Sequence, residues 1–147
     1  PGIDRDFPMT IDFASGLYLH RESGGVLLGM ADPKEPVAFD QSVNWDFLPV
    51  VVERALARVP ALEHAAIRTG WAGLYEDTPD RHPIIGPARP DGLLVCAGFS
   101  GHGFMHAPAA GELVAELVVD GRTTLDLGAL RASRFVSGEL VSEHNVV

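Results

Sequence analysis

GFSGHGFMH, residues 98–106, is the stretch that decides how this chain is read. Glycines at 98, 101 and 103 alternate with Ser100, His102 and His106. An unbroken apolar run, Leu93-Leu94-Val95-Cys96-Ala97, comes before it. After it, Ala110, Leu113, Val114, Leu117 and Val118 recur at helical spacing. The run reads as a fully buried strand, with Cys96 as a core residue, and the later spacing as one face of a helix. That helix is expected to start near His106, with Pro108 in its first turn and Gly121 as its stop. The first N–H groups of a helix have no partner within it, and glycine lets a ligand come close to them. A strand, a glycine-rich turn and a helix N-terminus therefore suit a negatively polarised ligand. The spacing Gly98-x-x-Gly101-x-Gly103 is neither the dinucleotide fingerprint GxGxxG nor a phosphate loop ending in Gly-Lys-Ser/Thr. The residues alone leave two readings open, a cofactor-facing turn and a tightly packed one.

Working outward, Gly16–Arg21 and Val26–Met30 read as a hairpin turning at Ser23-Gly24-Gly25, after a short extended stretch at 9–12. Asn44 is the expected N-cap of a helix running from Trp45 or Asp46 to Arg58, with Pro49 early enough to be tolerated and Pro60 ending it. AAIRTGWAGLY, residues 65–75, predicts a long strand, with Gly70 and Gly73 marking a bulge or a close contact. EDTPDRHP, residues 76–83, is rich in turn residues; Asp80, Arg81 and His82 there are expected as a polar rim or a solvated turn. Ile84-Ile85 predicts a short strand, 87–92 a turn, and Asp126 the cap of a last short helix to Arg131. The fold class is α/β (α+β), with a largely antiparallel sheet packed by helices, and with the strand–loop–helix at 93–121 as a separate unit.

Composition narrows the function. The 147 residues are 46% hydrophobic, enough for a core, and carry 16 glycines and 11 prolines. A net charge of −9, with Lys34 the one lysine, repels phosphate backbones and speaks against nucleic-acid binding. No apolar run is long enough to predict a membrane span, and no secretory leader is expected from PGIDRDFPMTID. Cys96 is the single cysteine, so the expected compartment is the reducing cytoplasm. His102 and His106 are spaced i, i+4, but HExxH is absent and the helix is expected to begin only at His106. The two are then not expected to share a helical face, and no metal site is predicted.

WAGLYEDTPDRHPIIG (71–86), AGFSGHGFMHAPAAGELVAELVVDG (97–121) and Arg134-Phe135 together resemble the C-terminal part of the D-amino-acid-oxidase-like family of FAD-dependent oxidoreductases, nearest its sarcosine oxidase and proline dehydrogenase branch. GLYLHRESGGVLLGMADPKEP (16–36) and NWDFLPVVVERALARVPALE (44–63) are similar to that family's substrate domain. The resemblance implies a substrate-domain portion at 1–85, the returning strand, loop and helix of the FAD-binding domain at 86–135, and a tail at 136–147. It implies that Gly98, Phe99, Ser100, Gly101, His102, Gly103, Phe104 and Met105 lie against FAD, with Ile84 added to that set. The glycines then clear space for a flat ring, and Ser100 and His102 position it. Tyr75 is implied as a substrate-facing catalytic residue, and His102 as a second catalytic candidate. Monomeric members carry lysine where this chain has Met105, and a flavin-linked cysteine where it has Gly73, so the FAD is expected to be non-covalent. The implied reaction is hydride transfer from a small secondary amine or amino acid to the flavin. No GxGxxG follows a strand, so the N-terminal Rossmann half is expected to be missing. Two alternatives follow from that: a truncated, FAD-free domain that self-associates, or a subunit completed by a separate FAD-binding chain.

Overall fold

The computed structural model describes residues 3–142, which divide into two compact units between Leu74 and Tyr75. The first is built on a three-stranded antiparallel sheet, β1 (Thr10–Asp12), β2 (Leu17–Glu22) and β3 (Gly25–Gly29), in that order. Glu22 pairs with Gly25, so the hairpin turns through Ser23 and Gly24 alone. Both are left-handed, at φ 46° and 78°, the geometry that matches the strands' twist. The alternation of β2 sends Leu17 and Leu19 inward, both fully buried, against Ala55 of helix α1 (Leu48–Arg58). Val26 and Leu28 from β3 and Val51 and Val59 from the helix side close around them. Burying two leucines stabilises the unit by about 1.5–3 kcal/mol each.

Asn44 caps as expected: its Oδ1 accepts from Asp46 N–H at 3.1 Å, and a 3₁₀ turn at Trp45–Phe47 leads into α1. The strand expected at 65–75 does not form; residues 65–78 hold no helix or strand. An extended segment becomes a strand only beside a partner, and none pairs with this one among the described residues. Its alternate residues gain no burial either, with Ile67 53% and Trp71 68% exposed. Gly70 does mark a close contact: a Cβ there would lie 3.0 Å from the ring of Trp45.

The second unit begins at Tyr75. Strands β4 (Ile84–Ala88) and β5 (Leu93–Ala97) pair antiparallel, Ile84 opposite Ala97. Helix α2 (Gly103–Asp120) follows, ending at left-handed Gly121 as read from the sequence. Four expectations fail here. Strand β5 is not fully buried, because a two-stranded sheet covers few of its side chains; Leu93 is 43% exposed. Cys96 is exposed rather than part of the core. Helix α2 starts at Gly103, three residues before His106, so Pro108 stands inside it and not in its first turn. The helix buries Ala110 and Leu113, while Val118 and Val119 on it are largely exposed. Asp126 Oδ1 accepts from Gly128 N–H at 2.8 Å, but it is not the cap expected: Leu127 is the N-cap residue of a 3₁₀ turn at Gly128–Leu130, and the short helix α3 (Arg134–Ser137) comes after it. Residues 143–147 of the expected tail lie outside the described residues. None of the described helices is long and apolar enough to cross a membrane.

Candidate functional site

The turn between β5 and α2 holds three left-handed residues in close succession, Gly98 at φ 74°, Ser100 at 49° and Gly101 at 88°. It is closed by a hydrogen bond from His102 N–H to the Phe99 carbonyl, 2.9 Å. The glycines serve different ends. A Cβ on Gly98 would stand 2.5 Å from Thr78 Cγ2, so glycine there is required by packing inside the protein, not by clearance for a ligand. Gly103 is tight as well, with Phe99 Cβ at 3.3 Å from the same built atom. Gly101, by contrast, is exposed at the surface of the turn.

His102 is the N-cap residue of α2, yet its side chain makes no capping hydrogen bond, and no acidic residue stands in the first turn. The first N–H groups of the helix are therefore left to a negatively polarised atom from elsewhere. Phe104 and Met105 in that turn are 97% and 64% exposed.

A cleft of about 220 Å³ lies beside the turn, lined by Arg81, His82, Pro83, Phe99, His102, Met105 and His106. Because α2 begins at Gly103, His102 and His106 are one helical turn apart and do face each other, with ring centroids 5.9 Å apart, contrary to the sequence expectation. The Phe99 ring lies 6.2 Å from that of His106, tilted by 34°. Three of the residues read as cofactor-facing, Phe99, His102 and Met105, thus share one cleft with the Arg81-His82 turn. Ile84 sits on β4, paired with the residue just before Gly98. Tyr75 is 45% exposed and does not line that cleft. A larger hollow of about 390 Å³ in the first unit, beside the Asp12–Arg58 ion pair, contains none of the candidate residues.

Ser100 is placed differently from a ligand-positioning group. It is fully buried, and its Oγ accepts from Thr78 N–H at 3.3 Å and donates to the Gly98 carbonyl at 3.4 Å. The Gly98 N–H donates to Glu76 Oε2, 3.2 Å. Segment 76–82, read as a rim or a solvated turn, is the bed on which the glycine loop rests. Thr78 Oγ1 bonds Asp80 Oδ1 at 3.1 Å and the His82 carbonyl at 2.7 Å. Asp80, 1% exposed, accepts from Arg134 Nε at 2.7 Å and Nη2 at 2.9 Å. The Arg134 hydrogen bond holds the Asp80 carboxyl down at about 2, against the upward push of burial. The sequence pointed to Arg134 only as part of the closing Arg134-Phe135 pair. Asp80 and Arg134 are 54 residues apart, and no spacing rule links positions that distant.

A family profile described as FAD dependent oxidoreductase (DAO) matches residues 2–117, which includes the loop. The chain is 41% identical over its whole length to FAD-dependent oxidoreductase domain-containing protein 1 of Xenopus laevis, covering 30% of that protein. It is 33% identical to the glycine oxidase of Geobacillus kaustophilus, over 86% of this chain and 34% of that one. The crystal structure of L-proline dehydrogenase from P. horikoshii superposes with a TM-score of 0.85 at 39% identity, covering 91% of this chain and 36% of that chain. The chain thus spans about a third of the length of the relatives it matches. With a profile running through both units and a solved fold that follows it this closely, the chain belongs to the DAO family of FAD-dependent oxidoreductases.

Proposed function

We propose that this chain supplies the flavin-facing loop and part of the substrate domain of an enzyme that oxidises a small secondary amine or amino acid. The observation that carries the reading is the turn at Gly101. Gly101 is exposed and left-handed, at φ 88°, beside a helix N-terminus that has neither a side-chain cap nor an acidic residue in its first turn. Those features fit an electron-rich ring edge: fixed backbone donors stabilise negative charge without reorganising. When bound, FAD supplies the acceptor for the hydride leaving the carbon next to the substrate nitrogen. The chain's own part is to bind and orient. The N–H groups of Gly103 and Phe104 are offered as donors, and Phe99 and Met105 give the cleft apolar walls. His102 orients the group held beside it, and Tyr75 is assigned to the substrate. In this reading 1–85 belongs to the substrate domain and 86–135 to the FAD-binding domain. Relatives named glycine oxidase, monomeric sarcosine oxidase and L-proline dehydrogenase support the substrate class.

The test is flavin content of the intact protein carrying Gly101→Val. Valine would project into the ring's space, and flavin is expected to be lost. Gly121→Val is the control, because Gly121 is also left-handed and exposed, but stands at the far end of α2. Equal flavin content in both variants would sink the assignment.

A second reading concerns what completes the site. Phe104, Val119 and Val136 in the second unit are 97%, 79% and 91% exposed. Apolar exposure of that extent favours a covering surface, either the rest of an FAD domain or a separate chain; relatives include a sarcosine oxidase subunit beta from Rhizobium meliloti. Self-association of an FAD-free domain is the rival. Sedimentation of the purified chain with and without added FAD separates the two, since flavin uptake without change in mass excludes the rival.

A further inference from the structure

Arg134 is the largest fully buried side chain among the described residues, and it lies beyond the stretch that the family profile matches, 2–117. We propose that Arg134 is a positioning residue for the glycine loop, acting through Asp80 and Thr78. The inference rests on the reading that this loop serves the flavin.

The path is continuous. The Arg134 guanidinium grips both carboxylate oxygens of Asp80, donates to the His82 carbonyl at 2.7 Å and to the Arg131 carbonyl at 3.2 Å. His82 N–H closes on Asp80 Oδ1 at 3.3 Å. Thr78 Oγ1 is tied to the same two acceptors, Asp80 and the His82 carbonyl. That fixes the two parts of Thr78 that meet the loop: its N–H, bonded to Ser100 Oγ, and its methyl, lodged in the space Gly98 leaves by having no side chain. Among the described residues no buried side-chain nitrogen or oxygen lacks a partner.

Two physical points argue for positioning over plain stability. A buried ion pair gains little over well-packed apolar residues of the same volume, because desolvation offsets the attraction; its best-attested use is to hold a register. The loop also needs holding. Ser100 is a non-glycine residue in the left-handed region, and such a conformation persists only where its surroundings over-determine it. The flat fork of arginine, with five fixed donors, over-determines Asp80 and His82 together in a way that lysine does not.

The experiment compares Arg134→Met, Thr78→Val and Leu113→Ala in the intact flavoprotein. Thr78→Val keeps the shape and the methyl but removes the hydroxyl. Leu113→Ala weakens the same unit through its apolar core. Hydrogen exchange is read at the amides of 98–103 relative to those of the β4–β5 ladder, and FAD affinity by fluorescence titration of the apoprotein. Arg134→Met and Thr78→Val should raise loop exchange about tenfold more than ladder exchange, the size expected for one lost buried hydrogen bond, and weaken FAD by a similar factor. Leu113→Ala should raise both regions alike. Arg134→Lys should recover part of the loop protection. If Arg134→Met does not fold, Thr78→Val carries the same test. Equal increases in loop and ladder for Thr78→Val and Arg134→Met would overturn the proposal. Selective loosening of the loop with unchanged FAD affinity would leave Arg134 as a positioning residue and refute the flavin reading instead.

Discussion

Asp80→Asn removes one charge from the buried pair while keeping the side chain's shape. The carboxylate accepts from Arg134 twice, from Thr78 Oγ1 and from His82 N–H, and both partners of the ion pair are 1% exposed. Removing one partner of a buried pair costs about 3–5 kcal/mol, since the other charge stays buried without compensation. Asparagine retains one acceptor, which puts the expected cost near 3 kcal/mol, about two orders of magnitude in an opening equilibrium. Proton linkage gives an independent check. The carboxyl is lowered from 3.8 to about 2, chiefly by the Arg134 hydrogen bond. At about 1.4 kcal/mol per pH unit, ionisation of Asp80 contributes about 2 kcal/mol. Because the folded value is the depressed one, that contribution is complete above about pH 4 and is lost as pH falls toward 2. Native-state hydrogen exchange at α2 amides near Leu113 is the assay, with variant and parent compared at each pH. Exchange should be about a hundredfold faster in the variant at pH 7, and the gap should narrow by more than tenfold by pH 2.5. A gap under tenfold at pH 7, or one of constant size across that range, would refute the assignment of Asp80 and Arg134 as a stabilising charged pair.

Other substitutions probe the local geometry. Gly98→Ala meets both a left-handed backbone, worth about 1 kcal/mol, and the Thr78 methyl, worth about 1–3 kcal/mol in overpacking; Gly121→Ala, with nothing within 4 Å, meets only the backbone term. The thermal midpoint should therefore fall further for Gly98→Ala, and the reverse order would show that the loop packs otherwise. Ser100→Ala strands the buried Thr78 N–H and should cost about 1–3 kcal/mol in urea unfolding, with no loss meaning that water replaces the hydroxyl. Asn44→Ala should destabilise the first unit by about 1 kcal/mol, followed through Trp45 fluorescence. Asn44→Asp should restore it, and failure to do so would remove capping as the cause.

Short-range rules were legible from the residues. The Ser23-Gly24 turn, the Asn44 cap and the Pro60 and Gly121 stops each depend on two to four neighbouring residues, so their chemistry is written locally. The glycine loop was legible as a turn between strand and helix for the same reason, since the three follow one another along the chain. Residues 65–75 looked like a strand because their composition allows an extended backbone, but a strand is a property of two segments, and pairing is not encoded in one. Cys96 and Leu93 were read as core because they are apolar, while burial depends on how many layers cover a sheet. The start of α2 shifted by three residues, enough to turn His102 and His106 toward each other. Gly98, Gly101 and Gly103 looked equivalent in sequence; only packing singles out Gly98, whose missing side chain leaves the space that Thr78 fills. Asp80 and Arg134 carry the same lesson furthest. Neither has a local signal, and their meeting depends on the fold bringing the turn before β4 to the start of α3, where a desolvated carboxylate must find a cation or lose its charge.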